Sequence, residues 1–367
     1  MAADRHCCHM CQIPEKSEKE KKSMNHKVKK VLRAMLLVLA MTLMYSINVP
    51  AATKVQASIG KKGYATLEKA LAAVQDGQTI TLKQDITLKQ ALVFNKNAKY
   101  AFNMNKHTIT SKAPEKSNTG DLDIQAGSVT VTNGTLKGSV YAHRDATLTI
   151  KNGTYKQIHN QGRTTINNGK VISEDSTIFN WEGKMVINKV AAKSECCCVC
   201  VEGGTVIING GSYTHTDPNS ISPLILVESG RAFLKNGTYR AEDSDAVLNQ
   251  YGSVTIYGGT YIGSDRSWEL VYNHSSMTVK GGSFIKYNRG VALYCASQSK
   301  TVVTGGTLKG KYAAIDVEIG REKLLVRGST LKAESVGIYC ENTKSRVTLD
   351  KSKTKIEAPV DILEYTL

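Results

Sequence analysis

One short unit recurs along most of the chain and limits its fold more than any other feature. It consists of a β-branched or aliphatic strand, an Asn-Gly or Gly-Gly pair, Thr or Ser, and then a large apolar residue. It reads VTVTNGTL at 129–136, LTIKNGTY at 148–155, VIINGGSY at 206–213, FLKNGTY at 233–239, VTIYGGTY at 254–261, MTVKGGSF at 277–284 and VVTGGTL at 302–308. Weaker copies are TINNGKV at 165–171, MVINKV at 185–190 and LLVRGSTL at 324–331. A second strand follows about half a repeat later, as in Gln157-Ile158-His159, Thr177-Ile178-Phe179 and Leu270-Val271-Tyr272.

Short strands of this kind cannot bury themselves singly. Stacked coil on coil at about 4.8 Å, each pairs with its copies above and below and encloses one continuous core. The predicted fold is therefore all-β: a right-handed, single-stranded parallel β-helix of about ten to twelve coils, each of roughly 22 residues. The patterns of propellers, leucine-rich repeats and calcium-binding nonapeptide repeats are absent. A short helix is expected to close the first coil. Thr66 can cap it, Leu67, Ala70, Leu71 and Val74 share one face, and Asp76-Gly77 ends it.

Upstream, Lys27, Lys29, Lys30 and Arg33 precede an apolar stretch opening at Ala34, the layout of a signal peptide. Small residues suited to cleavage follow at Val49-Pro50-Ala51 and Val55-Gln56-Ala57. An uncleaved anchor is the alternative, because no charge interrupts residues 34–53. Either way the expectation is export, to the medium or the cell surface, with membrane contact only through this segment. The expected organisation is a disordered leader extension at 1–23, with Met24 as an alternative start; a signal peptide or anchor at 24–57; the cap helix and first coils at 58–113; and the β-helix at 114–367. His6, Cys7, Cys8, His9 and Cys11 are dense enough for zinc, although an unfolded extension explains them with less effort.

The formal charge is +16; without residues 1–57, which hold ten Lys/Arg and four Asp/Glu, it is +10. Such a surplus favours acidic partners such as uronic-acid polysaccharides. The lysines are scattered and no nucleic-acid motif is present, so nucleic acid is not an expected partner.

Four constellations stand out. Seven residues past successive turns lie Asp175, Glu195, Asp217, Asp243 and Asp265, with His215, Arg240, Glu242 and Arg266 nearby. In perfect register these carboxylates would stand about 5 Å apart, close enough to recruit Ca²⁺ or to act as an acid/base pair. In a lyase, Asp217, Asp243 and Asp265 would serve as base or Ca²⁺ ligands, and Arg240 or Arg266 would neutralise the substrate carboxylate. The competing reading is that Asp is simply common in turns. Tyr155, Tyr213, Tyr239, Tyr261 and Phe284 each fall three residues past a turn and are expected in the core, whereas Tyr257 and Tyr272 are expected to face solvent and ligand. Asn160, Asn180, Asn249 and Asn273 follow the second strand and are read as a structural amide ladder. Cys196, Cys197, Cys198 and Cys200 crowd one turn, where thiols, a disulfide or a soft metal are all open readings; Cys295 and Cys340 sit two coils apart, beyond disulfide reach.

The stretch YATLEKALAAVQDGQTITLKQDITL at 64–88, with the Gly-Gly-Thr-Tyr units after it, resembles the pectate-lyase-like β-helix proteins, especially the adhesin-like group exported by bacteria. The resemblance spans nearly all of residues 60–358. It implies the fold but no single activity, since that superfamily holds lyases, hydrolases, esterases and members without known chemistry. Gly-His-Gly, Arg-Ile-Lys and pectate-lyase-like Arg motifs are missing, so no catalytic residue carries over. The expectation is an exported, non-catalytic, adhesin-like protein that binds glycan or a cell-surface polymer. The alternative is a polysaccharide lyase or glycoside hydrolase acting on an acidic polysaccharide. No cofactor is expected unless the acidic column holds Ca²⁺.

Overall fold

The computed structural model describes residues 25–38, 54–112, 118–217, 219–264, 267–341 and 346–365. They fall in two units, residues 1–54 and residues 55–367. In the first, residues 25–38 form a helix whose side chains are exposed, among them Val28, Leu32, Met35 and Leu36. No helix among the described residues is long and apolar enough to cross a membrane. The zinc reading of His6, Cys7, Cys8, His9 and Cys11 and most of the signal segment lie outside the described residues.

The second unit is a right-handed parallel solenoid of about twelve turns, with about 23 residues per turn. Each turn contributes strands to three faces. The first face is one 15-stranded sheet, of which the first two strands form an antiparallel hairpin and the others are rungs from Thr79–Leu82 to Val347–Asp350. The second face runs from Ile86–Leu88 to Lys355–Glu357, and the third from Leu92–Phe94 to Val360–Tyr365. In two turns the chain rounds the corner between these faces without breaking its strand, at Thr135–Ala142 and Thr154–Asn160. Alternation buries every second residue: on the first face Val206, Ala232, Val254 and Met277 stack inward in register.

The turn pair explains the repeat. At Gly237 the backbone has φ +134°, and a Cβ there would lie 3.0 Å from the Tyr239 hydroxyl and 3.1 Å from its ring. Only glycine meets both demands. Tyr239 then turns inward and its hydroxyl donates to the Asn236 carbonyl at 3.0 Å, and Tyr155, Tyr213 and Tyr261 repeat the bond three residues back. Tyr213, Tyr239, Tyr261 and Phe284 form an internal stack with centroids 4.6–4.9 Å apart. Tyr155 is buried too, but Val171 and Ala192 separate it from that stack.

The amide file is structural. Asn160 donates to Asn180 Oδ1, and Asn249 to Asn273 Oδ1, both at 2.7 Å, with Val201 and Val227 interrupting between the pairs. Cys295 and Cys340 are buried, two rungs apart, and not joined to each other by a disulfide. Cys197 and Cys200 form a disulfide, while Cys196 and Cys198 are free. The cap is the helix Leu67–Ala73, with Thr66 accepting from the Lys69 amide and Leu67, Ala70, Leu71 and Val74 buried. The hairpin Ala57–Ile59/Lys62–Tyr64 completes it by pairing antiparallel with Thr79–Leu82, which covers the edge of the first face. Nothing in the repeat foreshadows this hairpin.

Candidate functional site

The third face carries an outward file that the register of its strands makes continuous. Val93, Asp123, Tyr141, His159, Phe179, Cys200, Leu226, Leu248, Tyr272 and Tyr294 follow one another rung by rung. In its first rungs the file borders a groove of about 860 Å³, lined among others by Lys89, Asp121, Lys137, Gln157, Asp175 and Trp181.

The groove exists because the chain bulges. Between Leu136 and Ser139 the strand Thr135–Ala142 shifts register as it turns the corner. The Ser139 amide donates to Asp121 Oδ2 at 2.8 Å, and that carboxylate lies so close to Gly138 that a Cβ there would clash. Asp123, fully buried, accepts from Gln125 and meets His143 Nε2, both at 2.8 Å. Two of the groove's three carboxylates are thus occupied by the protein, whereas Lys89, Lys137 and Lys156 are exposed around it.

Along one wall the rings stack. His159 and Phe179 lie 4.6 Å apart with planes 4° from parallel, Phe179 and Trp181 are also 4° from parallel, and Tyr141 stacks on His159. Trp181 remains 38% exposed at the end of the series. Burial pushes the His159 pKa down to about 4, so its ring is neutral at ordinary pH and Nδ1 can accept from the Trp181 indole N–H at 3.4 Å. Burial, reinforced by Asp123 and Glu182, raises the Tyr141 phenol. The result is a stacked ring platform beside exposed lysines.

Comparison of the chain with protein families, with characterised proteins and with solved structures finds no match. The likeness to pectate-lyase-like proteins is therefore one of architecture, a parallel β-solenoid.

The acidic column is only partly assembled. Continuing the strand registers sets Asp217 level with Asp243, and Asp175 level with Cys196, so Glu195 falls one residue out of file. The unequal coil lengths cause this slip. Asp175, Glu195 and Asp217 are exposed, and Asp217 Oδ1 accepts from the Asn219 backbone and side chain, as a turn aspartate does. Asp265 and Arg266 lie outside the described residues, and Arg240 is exposed on the second face. Among the described residues no three His, Cys, Asp or Glu side chains gather as a metal site. His215 lies half-buried, and desolvation lowers its pKa.

The register does bring together Glu202 and Glu228, one turn apart. Burial first, and then the hydrogen bond and charge of Glu228, push Glu202 up to about 7. The shared signal is Val-Glu closing consecutive third-face strands, Val201-Glu202 and Val227-Glu228. Tyr257 is 43% exposed with Lys280 Nζ over its ring at 4.9 Å, and Tyr272 is half-buried in the outward file. The stacked rings Tyr141, His159, Phe179 and Trp181 escape a reading keyed to turns. Their signal is the residue after each inward Ile of the second strand, His159 after Ile158 and Phe179 after Ile178.

Proposed function

We propose that this is an exported, non-catalytic glycan-binding protein that holds an acidic polysaccharide in the groove beside Trp181. The observation that carries the reading is the ring platform His159–Phe179–Trp181 with exposed Lys89, Lys137 and Lys156 around it. The C–H face of a sugar ring packs on an indole, and uronate carboxylates pair with lysines. Gln157 and the exposed Asp175 offer hydrogen-bond partners for hydroxyls. The basic sequence draws such a polymer in. Export is supported by the charged and apolar layout of residues 24–57. The engagement of Asp121 with the bulge and of Asp123 with Gln125 and His143 favours binding over turnover.

Native affinity electrophoresis of the full chain tests this. In gels cast with polygalacturonate, with or without Ca²⁺, the protein is expected to be retarded and to leave the polymer intact, and Trp181→Ala is expected to migrate freely. Equal retardation in a neutral galactomannan gel, or shortening of the polymer, would overturn the proposal.

A further inference from the structure

At the other end of the third face the outward file changes character. Tyr272 and Tyr294 are followed by Asp316 and Tyr339 in successive rungs. Trp268 and Tyr312 join them over a small apolar cluster of Val291, Ala313 and Val336. The rings here do not form a parallel stack. Trp268 and Tyr312 are tilted by 43° with centroids 5.7 Å apart, Tyr312 and Tyr339 meet edge-on at 5.5 Å, and Tyr272 and Tyr294 are tilted by 36° at 4.8 Å. Asp316 stands in their midst and is only 6% exposed. The Trp268 side chain hydrogen-bonds to the carboxyl, but Oδ1 is buried and has no hydrogen-bond partner among the described residues. Neither Lys nor Arg forms a salt bridge with it among those residues. A buried carboxylate oxygen without a partner is costly and calls for a ligand.

We propose that this patch binds an alkylated organic ammonium group, which seats its cation against Tyr294, Tyr312, Tyr339 and Trp268 and meets Asp316 with its charge. The chemistry separates this ligand from a metal ion. Ca²⁺ and Mg²⁺ require several oxygen ligands, and no cluster of three such side chains exists among the described residues. A quaternary ammonium is weakly hydrated, carries its charge over methyl groups, and is held by ring faces. The protein supplies an example, since the Arg289 guanidinium lies over the Trp268 ring at 5.6 Å. Glu269 and Glu341 add negative potential around Asp316. The site is separate from the groove beside Trp181 and stands without it.

Calorimetric titration of the full chain with tetramethylammonium chloride, run at pH 8 so that Asp316 is ionised and matched against sodium chloride, is decisive. Saturable binding in the millimolar range is expected, weakened roughly tenfold or more in Asp316→Asn and independently in Tyr339→Leu, with both variants checked to be folded by a single cooperative melt. Asp316→Asn keeps the volume of the side chain, and Tyr339→Leu lies at the half-exposed margin, so either alone suffices if the other misfolds. No heat beyond the sodium control, undiminished binding in the variants, or tighter binding of plain ammonium than of tetramethylammonium would overturn the proposal.

Discussion

The chain has two tryptophans, and they sit at opposite edges of the same face. Trp181 follows the strand Ile178–Asn180, and Trp268 precedes the strand Glu269–Asn273. Around Trp181 the outward file repeats ring upon ring, and the planes settle parallel within 4–12°. Around Trp268 a carboxylate interrupts the file, and the rings tilt by 36–63°. Lysines surround the first region; Glu269, Asp316 and Glu341 charge the second. A parallel ladder thus lets one architecture build two surfaces, because the strand register copies whatever residue type the outward position holds. Repetition of rings yields a parallel platform, and interruption by a carboxylate yields a tilted ring cluster around a buried charge site.

The contrast can be broken at several points. The largest effect is expected from the internal stack that neither surface exposes: Tyr239→Ala should cost about 3–5 kcal/mol of stability in denaturant unfolding, while glycan affinity stays within about twofold wherever the variant is folded. A large affinity loss in folded protein would mean that the groove depends on distant packing.

Next is the pH dependence set by Asp316. Desolvation is the main cause that raises its pKa from 3.8 to about 7, against the opposing pull of Trp268. The folded state therefore binds the proton more tightly than the unfolded chain, and stability is lost as the pH climbs from about 4 to about 7. Asp245 and Glu202 act with the same sign, so the informative quantity is the difference between wild type and Asp316→Asn. The variant should recover at most about 4 kcal/mol at pH 8 relative to pH 4. An identical pH slope in both proteins would show that Asp316 is not desolvated.

Removing the indole in Trp181→Ala should weaken polygalacturonate binding by roughly 30-fold, about 2 kcal/mol, with no change in the tetramethylammonium response. The smallest effect is electrostatic. Lys156→Ala should lower the same affinity a few-fold, by less than about 1 kcal/mol, and flatten its salt dependence. A salt slope identical to wild type would place Lys156 outside the interface.

The architecture was legible because turn chemistry and period agree: Gly237 is required by its φ and by Tyr239, and the sequence displays both. Cap, internal aromatic file and amide ladder followed from the same frame. The site was less legible for a physical reason. Side-chain files on a solenoid are set by pairing registers, and coil lengths varying from 16 to 26 residues between turns defeat a constant offset, as Glu195 shows. His159 and Phe179 lay within strands already recognisable, one residue past Ile158 and Ile178, but a parallel stack becomes visible only when the two are known to be partners. Asp316 gave no warning in sequence, because its burial comes from rings on neighbouring turns.

The most direct test of the central claim is the calorimetric affinity of a uronic-acid hexasaccharide for the full wild-type chain, for Trp181→Ala and for Trp268→Ala. The account predicts saturable binding that is weakened roughly 30-fold in Trp181→Ala and unchanged in Trp268→Ala. Affinity that is undiminished by the loss of Trp181, or that falls with the loss of Trp268, would contradict it.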